Sequence, residues 1–198
     1  SILDLSAAGH QPMISASGRF VIVFNGEIYN HLGLRDELRP IASYPWRGHS
    51  DTETLLAGIE TWGVEKALKK TVGMFAFALW DRDRRVFTFA RDRMGEKPLY
   101  YGWQQNVFLF GSELKSLRSH PSFGHEIDRN VLSIYLQYGY IPSPYSIYKG
   151  INKLPPGSFL QLAIDQSPTE LPPPTSYWSI QQAVEAGKRS PFAGSDEE

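Results

Sequence analysis

Cysteine is absent from all 198 residues, which excludes disulfides, thiolate metal sites and any thiol nucleophile among them. An excess of charge is absent too. Twenty Lys and Arg stand against 21 Asp and Glu, so no net field draws the chain to nucleic acid or to an anionic membrane. The densest basic run, Arg82, Arg84, Arg85, Arg91, Arg93 and Lys97, is interleaved with Asp81, Asp83 and Asp92, the pattern expected of a solvated hairpin face. The longest apolar stretch, Val72 to Trp80, is too short to span a bilayer, and no charged leader precedes a hydrophobic segment. These absences describe a soluble, cytoplasmic chain with neither nucleic acid nor membrane among its expected partners. There is no internal repeat and no low-complexity segment. His10 has no second candidate ligand near it in sequence, so a loop hydrogen-bonding role is expected there and no metal site.

What is present suffices for a packed core, with 41% hydrophobic and 13% aromatic residues, in one domain or in one domain with an attached tail. Ser1 to Leu5 reads as a strand-like segment entered midway. The sequence then centres on Val21-Ile22-Val23-Phe24-Asn25-Gly26-Glu27, where an apolar strand runs into a polar tip. An Asn amide donates two hydrogen bonds and a Gly lets its N–H approach a ligand closely, the components of an oxyanion hole. By pattern alone, Asn25-Gly26 reads equally well as an ordinary hairpin turn.

Around this tip, helices are expected over Asn30 to Leu38, ended by Pro40, and from Ser50 to about Trp62, with Gly63 as its stop. Ser50 and Glu53 have capping-box spacing, and Asp51 falls in the first turn, where it complements the helix dipole. A short helix over Val64 to Lys70 follows. Hairpins are expected from Met74–Trp80 with Val86–Ala90, and from Leu99–Trp103 with Val107–Gly111. Ser112 can cap a helix over Glu113 to Arg118, and Asp128 another in which Val131, Leu132, Ile134, Tyr135 and Leu136 lie mostly on one side. Phe159 to Ile164 is the last expected strand. Past Trp178 the apolar pattern weakens, and Gly187 to Glu198 reads as linker or tail. Hairpins with helices gathered in separate groups indicate α+β.

Several motifs, in order, resemble the glutaminase domain of glutamine-hydrolysing asparagine synthetases: Ser1-Ile2-Leu3-Asp4, Gly9-His10-Gln11-Pro12-Met13, Phe24-Asn25-Gly26-Glu27-Ile28-Tyr29-Asn30, Ser50-Asp51-Thr52-Glu53 and Gly73-Met74-Phe75-Ala76-Phe77-Ala78. Arg91-Asp92-Arg93-Met94-Gly95-Glu96-Lys97-Pro98-Leu99-Tyr100-Tyr101, Ser112-Glu113-Leu114-Lys115 and Leu154-Pro155-Pro156-Gly157 continue it. The resemblance covers about residues 1–178 and leaves 179–198 as linker or tail towards a synthetase domain. It implies the four-layer α/β/β/α sandwich of N-terminal-nucleophile hydrolases.

The same resemblance implies site roles. The Asn25 side-chain amide and the Gly26 backbone N–H would stabilise the oxyanion formed when an N-terminal cysteine attacks the glutamine amide. Glu27 and Asp51 would hold the substrate's α-ammonium, and Ile2 and Leu3 would offer backbone groups along it. No cofactor is expected in this domain; ATP and Mg belong to the family's C-terminal synthetase domain, which would receive the ammonia. Glutamine and that domain are the implied partners, and the resemblance leaves room for a homodimer. Ser1 matches an internal strand position of the family pattern rather than its first residue. The family's nucleophilic cysteine and its carboxylate-binding arginine match no residue here. A second reading follows from that departure, a catalytically silent binding or scaffold module of the same fold.

Overall fold

The computed structural model describes residues 3–41, 44–165, 170–190 and 194. In chain order the elements are β1 (Met13–Ile14), β2 (Phe20–Ile28), α1 (His31–Leu38), α2 (Asp51–Trp62), α3 (Val64–Lys70), β3 (Gly73–Asp81), β4 (Val86–Arg91), β5 (Tyr100–Gln104), β6 (Val107–Gly111), α4 (Leu114–Arg118), α5 (Arg129–Tyr138), β7 (Asn152–Lys153), β8 (Ser158–Ala163), β9 (Thr175–Ser176) and α6 (Ile180–Arg189). A six-stranded sheet has the order β1-β2-β3-β4-β8-β9 and a three-stranded sheet the order β6-β5-β7. All strand pairs are antiparallel.

The side-chain alternation of β3 builds the layers. Phe75, Phe77 and Leu79 join Leu34 of α1, Leu55, Leu56 and Ile59 of α2, and Leu68 of α3 in one buried cluster. Ala76 and Ala78, pointing the other way, pack with Phe89, Leu99, Tyr101 and Leu160 between the two sheets. The small alanines let the second sheet approach. Its outer face is covered by Leu117 of α4 with Leu109, Phe123 and Ile151. The result is helix, sheet, sheet, helix: the four-layer α+β arrangement that the motifs imply.

Several local expectations are corrected. The Asn25-Gly26 pair is not a turned tip. β2 continues through it to Ile28, with Asn25 opposite Ala76 and Gly26 opposite Phe75, because the long β3 supplies pairing partners past the point where local turn chemistry would bend the chain. Ser112 does not cap α4, whose N-cap is Glu113 without a side-chain cap bond. Ser50 does cap α2, accepting from Thr52 N–H, but Glu53 completes no capping box. Its carboxylate accepts instead from the N–H groups of Arg47 (2.8 Å) and Gly48 (3.1 Å).

Arg91 and Asp92 are not part of a solvated face, being 7% and 0% exposed. The Arg91 guanidinium donates to the carbonyls of Lys97 and Leu154 (2.8 and 2.7 Å), and burial pushes its pKa down. Asp92 accepts from the N–H groups of Phe75, Met94, Glu96 and Lys97, pinning the 92–97 loop. The apolar side of α5 stays largely open, with only Val131 buried and Leu136 exposed. Where the apolar pattern weakens, residues 180–189 still form α6, capped by Ser179 and with no buried residue. No helix among the described residues is long and apolar enough to cross a membrane.

Candidate functional site

The strand β2 presents its polar end in two directions. Asn25 and Glu27 alternate with Phe24 and Ile28; the latter two pack on the helical layer, so the former project towards the second sheet. The backbone edge can be read from the ladder. Phe75 uses both its C=O and its N–H on the β4 side, accepting from Asp92 N–H (2.8 Å) and donating to the Asp92 carboxylate (3.2 Å). Gly26, its register partner, therefore sits in a non-hydrogen-bonded pair and directs its own N–H away from β3.

That outward edge is not covered by β1, which pairs only with Val21 and Ile22. Side chains take its place. Gln11 Oε1 accepts from Phe24 N–H at 2.7 Å, and Asp51 Oδ2 accepts from Ile28 N–H at 2.9 Å. Between these two capped positions, the Gly26 N–H has no hydrogen-bond acceptor among the described residues. It faces outward with its neighbours fixed on both sides, as a preorganised donor must. Gly26 itself is required by packing: a Cβ there would lie 2.1 Å from the Met74 carbonyl oxygen.

Asp51, buried at 2% exposure, is brought to β2 by the N-terminus of α2. Its Oδ1 accepts from Thr52 N–H at 2.9 Å, so both carboxylate oxygens are engaged by backbone donors. The loop before it is held by a buried network. Arg35 donates to the carbonyls of Gly48 and Ser50 (both 3.0 Å) and to Thr54 Oγ1 (2.7 Å), and it pairs with Glu53 at 3.4 Å. Leu3 is half exposed, and its neighbour Asp4 accepts from His49 N–H at 2.9 Å, two residues ahead of Asp51. The hydrogen bonds from Ser6 and His49 hold the Asp4 carboxyl down to about 2.

The structure thus brings Asn25, Gly26 and Glu27 together on β2, joins Asp51 to the same strand end, and ties Asp4, the residue after Leu3, to the loop that precedes Asp51. Ile2 lies outside the described residues. Glu27 is partly exposed on the intersheet side, and Tyr29 nearby has its hydroxyl pKa raised by desolvation and then by the charges of Glu96, Glu27 and Asp92. Two contributors are missed by sequence reasoning. Gln11, visible only as part of a loop motif, fixes the backbone just before Asn25. Ser112, read as a helix cap, accepts a hydrogen bond from Asn25 Nδ2 at 3.0 Å. A cavity of about 170 Å³ opens at this point, lined in part by Gln11, Val23, Asn25, Leu99, Phe110 and Ser112. No group of three or more His, Asp or Glu among the described residues could hold a metal ion.

Residues 1–178 match the family model described as a glutamine amidotransferase domain. The chain is 38% identical over 173 residues to asparagine synthetase (glutamine-hydrolyzing) 3 of Bacillus subtilis, covering 83% of this chain and 27% of that protein. With asparagine synthetase (glutamine-hydrolyzing) 1 of the same organism it shares 39% identity over 158 residues, 80% of this chain and 24% of the relative. The chain spans about a quarter of the length of these curated relatives. Among solved structures, glutamine phosphoribosylpyrophosphate amidotransferase from B. subtilis, complexed with ADP and GMP, superposes with a TM-score of 0.60 at 17% identity, over 88% of this chain and 33% of that one. At that identity the likeness speaks for the fold, and the family match and the closer relatives speak for the rest: the chain belongs to the glutamine amidotransferase domain family.

Proposed function

We propose that these residues form the glutamine-binding and oxyanion-stabilising part of a glutaminase site that releases ammonia for a synthetase module. The observation that carries the reading is the outward-facing Gly26 N–H, held between Phe24 and Ile28 on an edge fixed by Gln11 and Asp51, with the Asn25 amide on the adjoining face. When a nucleophile adds to the glutamine side-chain amide, negative charge collects on its oxygen. Two N–H donors already in place lower that barrier without reorganising. Glu27 and Asp51 supply carboxylates for the α-ammonium, distinguishing an amino acid from a neutral amide. Leu3 and Ile2 would add backbone groups along the substrate.

The nucleophile is not among the 198 residues, which contain no cysteine. ATP and Mg are assigned to the synthetase module, where the ammonia would amidate aspartate or a related carboxylate. The names of the B. subtilis relatives support this acceptor class. The retained Asn25, Gly26, Glu27 and Asp51 favour an enzyme over a silent module.

The test is glutamate release from glutamine by the natural protein that contains this chain. Asn25→Ala is expected to lower kcat roughly 100- to 1,000-fold, the loss typical of one oxyanion donor, while Asp51→Asn raises KM. The 198 residues alone are expected to release no glutamate. Wild-type turnover that survives Asn25→Ala undiminished would overturn the assignment.

A further inference from the structure

We infer that Ser112 is a positioning residue for the Asn25 amide, an assignment that rests on the oxyanion role proposed above. An Asn side chain has two ends of similar size and opposite polarity. With the NH2 end turned to the reacting carbonyl it stabilises the oxyanion; with the carbonyl end turned there it repels it. Rotation about the terminal torsion is soft, so something outside Asn25 must choose between the two. The cross-strand neighbour cannot, because Ala76 stands opposite Asn25 in the ladder and has no polar side-chain atom. Ser112 Oγ lies within reach: it accepts from Nδ2 at 3.0 Å, a contact that engages one N–H, restrains the rotation and leaves the second N–H for the substrate oxygen.

This contact crosses the molecule. Asn25 belongs to the six-stranded sheet, whereas Ser112 directly follows β6 of the three-stranded sheet. Two features hold the hydroxyl there. β6 is paired through Gly111 with Tyr100, and Gly111 has Leu117 of α4 packed against it so closely that a Cβ would lie 2.9 Å from Leu117 Cδ1. Ser112 is thereby placed where β6 ends, beside the cavity it shares with Asn25 and Gln11, and it is not drawn into capping α4. Gln11 fixes the main chain before Asn25 and Ser112 fixes its side chain.

The experiment is a double-mutant cycle in the natural protein, read by glutamine hydrolysis. Ser112→Ala is expected to lower kcat about tenfold, less than deletion of the donor itself, with KM within about twofold. Ser112→Thr, which keeps the hydroxyl, restores most of the rate. In an Asn25→Ala background the further change Ser112→Ala costs nothing, since no amide remains to orient. The same loss in both backgrounds, or no rescue by Thr, overturns the assignment. A crystal structure of Ser112→Ala gives a second reading independent of turnover: the Asn25 amide is expected to rotate or to occupy two orientations, and an unmoved amide refutes the role. If the natural protein fails to hydrolyse glutamine with all these residues intact, it is the glutaminase reading that falls, and the amide orientation still decides what Ser112 does.

Discussion

A methyl group on Gly26 would stand 2.1 Å from the Met74 carbonyl oxygen and 2.6 Å from Phe75 Cα, so the residue proposed to offer its N–H to the substrate is also the one that permits β2 and β3 to close. Asp4 works differently, through hydrogen bonds to a carboxylate. Its oxygens accept from Ser6 N–H (2.9 Å), Ser6 Oγ (2.6 Å) and His49 N–H (2.9 Å), and these donors favour the ionised form. The carboxyl is accordingly lowered from 3.8 to about 2. A depressed folded-state pKa means that the unfolded chain binds the proton first. The stabilisation is therefore complete above about pH 4 and is lost as the pH falls towards 2. Carbon-13 carboxyl shifts followed against pH are expected to place the Asp4 midpoint near 2, and Ser6→Ala to move it upward. A midpoint near 4 in the intact chain would mean that the 4–6 turn and its link to the loop before Asp51 do not hold in solution.

At the scale of elements, α2 is placed by a loop whose donors converge on one buried carboxylate. Glu53, 1% exposed, takes the N–H groups of Arg47 and Gly48 and lies 3.4 Å from Arg35. Glu53→Ala removes the acceptor and leaves a guanidinium that is itself largely buried, a change that typically costs about 3–5 kcal/mol. Urea unfolding is expected to show that loss, and with Asp51 in the role proposed above the KM for glutamine is expected to rise, because Asp51 rides on the same helix; a loss of stability under about 0.5 kcal/mol would place the loop's anchor elsewhere. The sequence makes α2 legible through Ser50, the apolar pattern and Gly63, since these are local signals. It does not reveal that Glu53 turns back to the loop, because a residue at capping-box spacing and one that folds onto residues 47–48 look alike in one dimension. The same limit explains β2. Val21 to Phe24 carries a strand pattern and Asn25-Gly26 carries turn chemistry, and only pairing with residues about 50 positions later, Ala76 and Phe75, decides in favour of the strand. Ser112 lies 87 positions from Asn25, and no periodicity links the two. Asn25, Gly26, Glu27 and Asp51 are legible as a candidate site only through what the ordered motifs imply, whereas the side chains that hold them in place are visible only in three dimensions.

In the whole molecule, β3 and β4 belong to both main cores at once. β3 sends Phe75, Phe77 and Leu79 to the helices and Ala76 and Ala78 to the second sheet, while β4 contributes Ala90 to the first cluster and Phe89 to the second. Phe89 is fully buried, with ring centroids 4.9 Å from Phe110 and 5.3 Å from Phe108 across the intersheet gap. Truncating it to Ala removes the principal aromatic bridge between the sheets and is expected to cost about 3–5 kcal/mol. Because the shared strands carry both clusters, loosening one core deprives the other of its backing, so the layers are expected to unfold together. Urea titrations of Phe89→Ala followed by far-UV circular dichroism, which reports the helices, and by near-UV dichroism, which reports the aromatic packing between the sheets, should shift to lower midpoints as one superimposable transition. Two separated transitions, with the near-UV signal lost first, would show that the three-stranded sheet detaches as its own unit. In that case the Asn25–Ser112 contact, which spans the same gap, would break in the intermediate while β2 and its Gly26 edge stayed folded.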